Sequence, residues 1–305
     1  MSNAQDLLRT LDLTKVQALI RDPVWNLHED EITEVSRRVL RAADLWLMDD
    51  LQADLGIVEW YWKNPGGGSG IMDLVKITGD KAELVDYKNT KNLSEPTFKN
   101  RLKYSLQTGQ YLGEGLEAVG RVAGRPLTIT KAVIQYRVFD DPTWERPVGN
   151  VVVVPVNYDE RMVRRAEVTL DQARRNYLHI SGVQTSHPNL GPWPQHMPDA
   201  CLKYWEREPK CPFWYDCTEG KEPLIPPDKI VNLSRIPTSK SSVGLFRECP
   251  ERYRREKIME GTTAGTFQQN MGSAMHAGVA EVWAQAFEKY DKLLKPPSPD
   301  RHPNT

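Results

Sequence analysis

Two aspartates and a lysine are the residues here whose types and spacing can do chemistry. Thr78-Gly79-Asp80-Lys81 separates two stretches of strand-like alternation, about 70–78 and 82–88, and Gly79-Asp80 fits a two-residue hairpin turn. Counting back from that turn, Thr78 faces Lys81, Ile77 faces Ala82, Val75 faces Leu84 and Asp73 faces Asp86. Side chains alternate along a strand, so Ile71, Asp73, Val75 and Ile77 share one face with Ala82, Leu84, Asp86 and Lys88. An otherwise apolar face therefore ends in two acids and an ammonium. Opposed residues have Cβ atoms about 4.5–5.5 Å apart, and like charges there repel. A divalent cation such as Mg²⁺ or Mn²⁺, shared by both carboxylates, relieves that repulsion; Mg²⁺ commonly completes its shell with water and substrate phosphate. Lys88 can then stabilise charge on a phosphate or assist deprotonation of water. The competing reading is a charged hairpin end facing solvent.

The elements that must position these groups can be read from periodicity. Helices are expected at 4–20 and 29–54, a strand at 57–62, and a helix from the Ser94-Glu95-Pro96 start to about residue 118. In that helix Leu102, Leu106, Gly109, Gly113 and Leu116 form a stripe suited to lying on a sheet, and Gln107 and Tyr111, four apart, can reach the acid site. Strands follow at 127–139 and 150–156, the second so Val-rich that it reads as buried on both faces. Helices are expected at 158–178, 241–259 and 271–292. The order implies a mixed α/β core with helical additions. The expected division is a core over 1–180, a Cys-rich lobe and linker over 181–237, a helical segment over 238–292 and a disordered tail over 293–305.

Composition narrows the function classes. The 305 residues are 39% hydrophobic, and no apolar run is long enough to span a bilayer. No basic-then-apolar leader opens the sequence, which points to a cytoplasmic protein without a membrane partner. Forty Lys and Arg against 41 Asp and Glu give a net charge of −1, so any grip on nucleic acid must come from local patches or bound metal. Arg164 and Arg165 on one helix and Arg254 and Arg255 on another are candidate DNA contacts; solvated helix faces are the alternative. Cys201, Cys211 and Cys217 fall within 17 residues, and with Cys249 they make four thiols in a chain expected to be cytosolic. Four thiolates can hold Zn²⁺ or an iron–sulfur cluster, or remain separate buried thiols.

Gly70-Ile71-Met72-Asp73, Asp86-Tyr87-Lys88 and Gln107-Thr108-Gly109-Gln110-Tyr111 resemble, in order and spacing, the G-x-x-D, D-x-K and Q-x-x-x-Y motifs of the PD-(D/E)XK nuclease superfamily. The likeness is to its RecB-type branch, which includes the CRISPR-associated exonucleases, and it covers about residues 55–118. The resemblance implies a restriction-endonuclease-like mixed sheet flanked by helices and metal-dependent hydrolysis of DNA, processed from single-stranded ends in replication, recombination or repair. It implies catalytic roles for Asp73, Asp86, Lys88, Gln107 and Tyr111, and adds Glu59 to the metal ligands. Cys211 and Cys217 have the C-x5-C spacing with which members hold a [4Fe–4S] cluster, although Glu208 stands where the preceding ligand belongs and Cys201 lies further away. Cys249-Pro250-Glu251-Arg252-Tyr253 and Gly272-Ser273-Ala274-Met275-His276 resemble the segment that begins this domain elsewhere, its Cys a cluster ligand and its His a metal ligand. Here that segment follows the core: either the domain is circularly permuted or a second domain is cut short. His28 is an alternative to His276, with capping as its ordinary role. No GxxxxGK[ST] run is present, so an ATP-driven helicase partner is expected to be a separate chain. The rival to a nuclease is an inactive DNA-binding or assembly subunit with a Zn- or Fe–S-stabilised lobe.

Overall fold

Strands β1 (Leu55–Lys63), β2 (Ser69–Thr78) and β3 (Lys81–Thr90) form an antiparallel meander. Its second turn is the expected one: Thr78 pairs with Lys81 around Gly79, whose φ of 56° suits glycine. These assignments come from a computed structural model, which describes residues 4–64, 68–90, 100–127, 133–140, 151–186, 240–258 and 267–296. β4 (Val133–Asp140) lies parallel to β3, and β5 (Val151–Asn157) antiparallel to β4. The sheet is thus mixed, in the order β1-β2-β3-β4-β5. Parallel neighbours need a crossover. It contains α4 (Leu106–Gln110), a π-helical turn over Tyr111–Gly115 and α5 (Leu116–Ala123).

The first expected helix is two: α1 (Ala4–Leu8) and α2 (Leu13–Ile20). Asp12 ends the interruption by accepting from the Thr14 and Lys15 amides, the action of an N-cap. α3 (Glu29–Asp50) begins after His28, whose amide donates to Glu31 Oε2 at 2.7 Å. His28 is therefore a helix-start residue. The expected Ser94 start lies outside the described residues. The helical run at 100–103 is interrupted, and Ser105 starts α4, its Oγ accepting from the Thr108 amide.

Each face of the sheet buries its own core. On one, Val75, Ile77, Leu84 and Tyr136 pack under Leu112, Leu116 and Val119 of the crossover. A close approach falls at Gly115, where a Cβ would lie 2.3 Å from Met72 Cε. On the other, Leu74, Val85, Tyr87 and Phe139 pack against α3 and α9 (Phe267–Lys289). β5 is an edge strand rather than one buried on both faces. Pro155, opposite Gln135, has no amide to donate to a further strand, and Val153 is exposed.

A large back-face side-chain network was not anticipated from the sequence. Asp50, wholly buried at the end of α3, accepts from Arg137 Nη1 and Nη2 at 2.6 Å each and from Trp283 Nε1 at 2.8 Å, with Lys76 Nζ at 3.0 Å. Arg137 also donates to the Tyr87 hydroxyl at 3.1 Å and lies 4.7 Å over the Trp46 ring.

The chain falls into two compact units. The first comprises 1–64, 69–163 and 265–305, the second 65–68 and 164–264. In the second, α6 (Glu160–Ser186), α7 (Lys240–Glu248) and α8 (Pro250–Tyr253) bring together Tyr177, Phe246 and Tyr253, with ring centroids 5.6–5.9 Å apart. In the first, α9 rejoins the core, and the start of the segment expected to be a disordered tail is tied down. The Gly56 amide donates to Lys292 O and the Leu294 amide to Gly56 O, both at 2.9 Å. Phe287 covers Gly56 so closely that an added Cβ would lie 2.6 Å from its ring. Gly56→Ala is expected to lower stability by about 1–3 kcal/mol through overpacking, measured by chemical denaturation.

Candidate functional site

The β2–β3 ladder runs from Thr78↔Lys81 to Leu74↔Val85 and stops one pair short of the two aspartates. There a side chain replaces the backbone acceptor: Asp73 Oδ2 accepts from the Tyr87 amide at 2.8 Å. β3 continues along β4, with Asp86 beside Tyr136. The other neighbour of β2 is disturbed at the same level. Val58↔Leu74 and Trp60↔Met72 are ladder pairs, but Glu59 between them has a φ of 44° and drops out. For a residue with a Cβ this costs about 1–2 kcal/mol. The break also reverses the alternation. Leu74 belongs to the back core, whereas Met72, two residues away, belongs to the crossover core with Trp60 and Trp62. Ile71, expected on the apolar face, is turned outward and 52% exposed.

At this break the structure brings together Asp73, Asp86, Lys88, Gln107 and His276. The Asp86 side chain is 3% exposed; its Oδ1 accepts from Gln107 Nε2 at 2.7 Å and its Oδ2 forms an ion pair with Lys88 Nζ. Asp73 Oδ1 lies 3.2 Å from His276 Nδ1. β2 and β3 supply the acids, α4 supplies Gln107, and α9 brings His276 in from the back face. The Lys88 and His276 side chains, 29% and 30% exposed, form the more open side. Tyr111 lies within electrostatic reach of both acids. Its hydroxyl donates to Ile71 O, two residues before Asp73, and its ring packs edge-on against Trp62.

The electrostatics separate the two acids. Burial raises both; at Asp86 it prevails over Lys88, and this carboxyl is held above its ordinary value. At Asp73 burial is outweighed by the His276 charge, by Lys88 and by the Tyr87 amide, so this carboxyl is lowered. Partial desolvation and the Asp73 charge raise Glu59, placing it within electrostatic reach of the same centre. Burial lowers Lys88, but Asp86 and Asp73 outweigh it and keep the ammonium charged to higher pH. Burial likewise lowers His276, and Asp73 reverses that, pushing it up to about 9.

Among the described residues no group of three or more His, Cys, Asp and Glu side chains forms a ready-made metal cage. The donors nonetheless fit a hard divalent ion that needs only one or two carboxylates and keeps other oxygen ligands. Asp86 Oδ2 is buried, and its partner is the Lys88 ammonium, whose place a cation could share. Lys88 and His276 balance the charge that such an ion would balance.

The remaining predicted residues lie in the second unit or outside the described residues. Arg164 and Arg165 are exposed on α6, and Arg254 is half-buried. Arg255 is 2% exposed, which overturns its assignment as a surface DNA contact: a guanidinium enclosed by protein does not reach a phosphate backbone. Cys249 is buried and outside any disulfide, its Sγ accepting from the Arg252 amide at 3.4 Å. Cys201, Cys211 and Cys217 lie outside the described residues. What sequence reading missed is the support behind the site. Its available signal was Arg137, a lone charge inside the apolar run Val133-Ile134-Gln135-Tyr136-Arg137-Val138-Phe139.

No family model matches the sequence, and no curated protein matches it. A solved structure titled "Crystal structure of SSO0001" is 18% identical, with a TM-score of 0.18, over 52% of this chain and 74% of that one. Likeness at that level carries no conclusion about fold or function.

In the metal-free protein the His276 ring is expected to titrate near 9, against 6.5 for an ordinary histidine, as read from its carbon-bound proton shifts by NMR. A histidine raised on folding adds stability that is complete below about pH 6.5 and is lost as the pH climbs through about 9. The free energy of unfolding, measured across that window, is expected to fall toward alkaline pH, and His276→Ala is expected to flatten the trend.

Proposed function

We propose that the protein is a metal-dependent deoxyribonuclease, acting as an exonuclease on single-stranded ends in replication, recombination or repair. One observation carries this reading: two carboxylates, the buried Asp86 and the largely enclosed Asp73, sit at the opened end of a β-ladder with Lys88 beside one and Gln107 holding it. The motif resemblance supports DNA as substrate. Asp73 and Asp86 would hold Mg²⁺ or Mn²⁺, with His276 and Glu59 as further ligands. When bound, the ion supplies Lewis acidity toward a phosphate and a lowered pKa for water.

The chain's own residues have distinct parts. Gln107 turns one Asp86 oxygen toward α4 and leaves Oδ2 for the positive partner. Lys88 stays an ammonium at neutral pH, because both acids hold its pKa up. As an ammonium it would donate to a phosphate oxygen and stabilise developing charge. His276 is protonated in the metal-free state and must give up its proton to act as a ligand. Tyr111 fixes the β2 backbone from which Asp73 projects.

The second part of the reading is a [4Fe–4S] cluster on Cys201, Cys211, Cys217 and Cys249, with Zn²⁺ as the other metal four thiolates accept. A helicase or recombination protein is the proposed separate partner. The deciding experiment is degradation of end-labelled single-stranded DNA with Mg²⁺ or Mn²⁺. Wild-type protein is expected to shorten it, and Asp86→Asn and Lys88→Ala each to slow this by about 100-fold or more, the scale on which one aimed electrostatic group acts. Degradation that survives both changes would remove the site from the mechanism. Wild-type protein that binds the strand and leaves it intact points to the inactive DNA-binding subunit.

A further inference from the structure

We infer that the buried Asp50–Arg137 pair is a positioning device for the metal-binding residues, acting through Tyr87 and Trp283; the inference rests on the nuclease reading. One carboxylate joins four elements. Asp50 closes α3, Arg137 reaches it from β4, Trp283 from α9 and Lys76 from β2. The charges balance: Asp50 and Glu83 against Arg137 and Lys76, with Glu83 paired to Lys76 across the hairpin. A charge-balanced group of this kind resists rearrangement, since moving any member strands another in an apolar core.

Two arms lead from this group to the site. The first runs through β3. Arg137 donates to the Tyr87 hydroxyl at 3.1 Å, and the Tyr87 backbone amide holds Asp73 Oδ2 at 2.8 Å. The ring is thus tethered on the back face while the amide of the same residue orients a site carboxylate. Tyr87 also lies between Asp86 and Lys88, so its placement sets theirs. The second arm runs through α9. Trp283 is seven residues after His276, close to two helical turns, which puts both on the same side of the helix. Its bond to Asp50 at 2.8 Å sets the rotation and height of α9, and with them the approach of His276 to Asp73. The arms meet at the Tyr87 ring, which contacts Trp283 and His276 edge-on at centroid distances of 6.0 and 6.5 Å. Asp50 and Arg137 touch neither acid. They are positioning residues.

Removing Asp50 outright endangers folding, so the test uses Tyr87→Phe, which deletes one polar tether and keeps the ring, and Trp283→Phe, which deletes the other and leaves a smaller aromatic ring in its place. Three quantities are read in each variant and in wild type: hydrogen exchange of the residue 87 amide, Mn²⁺ affinity without DNA, and kcat and KM for single-stranded DNA. Exchange at residue 87 is expected to accelerate about tenfold more than the change in global stability accounts for. Mn²⁺ binding is expected to weaken several-fold, and kcat to fall with KM for DNA within about twofold, the pattern of a disturbed reacting centre with an intact strand grip. Exchange that merely follows global stability, or unchanged Mn²⁺ affinity and kcat in folded variants, would overturn the inference. If wild-type protein neither binds Mn²⁺ nor degrades DNA, the nuclease reading falls, and exchange at residue 87 alone then decides whether Asp50 and Arg137 orient Asp73.

Discussion

Two carboxylates at the same level of neighbouring strands, one buried and the other largely enclosed, are the constraint around which this molecule is arranged. Enclosing one charge in protein is costly, and enclosing two of the same sign side by side is more so. The structure answers with separation and neutralisation. Asp73 leaves the ladder for the Tyr87 amide and the His276 ring, while Asp86 stays in line with β3 and faces Lys88 and Gln107. The two acids therefore have unlike surroundings and opposite displacements of their proton affinities. Such divergence is a common mark of paired acids with different tasks.

The arrangement requires an irregular sheet. Regular pairing through Asp73 would keep its neighbours in strict alternation and place Met72 and Leu74 in one core. The left-handed turn of the backbone at Glu59 lets β1 and β2 change faces together, so that Trp60, Trp62 and Met72 pack beneath Tyr111 and Gly115. A strained backbone with an acidic side chain, opposite a buried acid, is where local conformation has been subordinated to the centre it surrounds.

Much of the hairpin was legible in the sequence because its information is local. Gly79 fixes the turn, the turn fixes the register, and the register brings Asp73 level with Asp86. Alternation stopped being a guide at Glu59, since period-two reasoning assumes the regularity that the site breaks; hence the outward Ile71. The Val-rich β5 misled in another way: hydrophobicity signalled burial, whereas Pro155 already marked an edge. The helix expected to run unbroken to about 118 restarts at Ser105, and Arg255 shows that a run of basic residues need not be a surface patch. The Asp50–Arg137 group was beyond reach, because its members come from positions 50, 76, 137 and 283 and only the fold makes them neighbours.

The tie between residues 292–294 and Gly56 has a topological effect. β1 is the outermost strand on its side, and an outermost strand offers unpaired amides and carbonyls to any extended peptide. Here both polar groups of Gly56 are already taken by the polypeptide itself, and the ring of Phe287 lies over the same spot. At the opposite rim the pyrrolidine of Pro155 withholds a donor. At one point on each margin of the sheet, Gly56 and Pro155, the groups that an added strand would use are thus taken or missing.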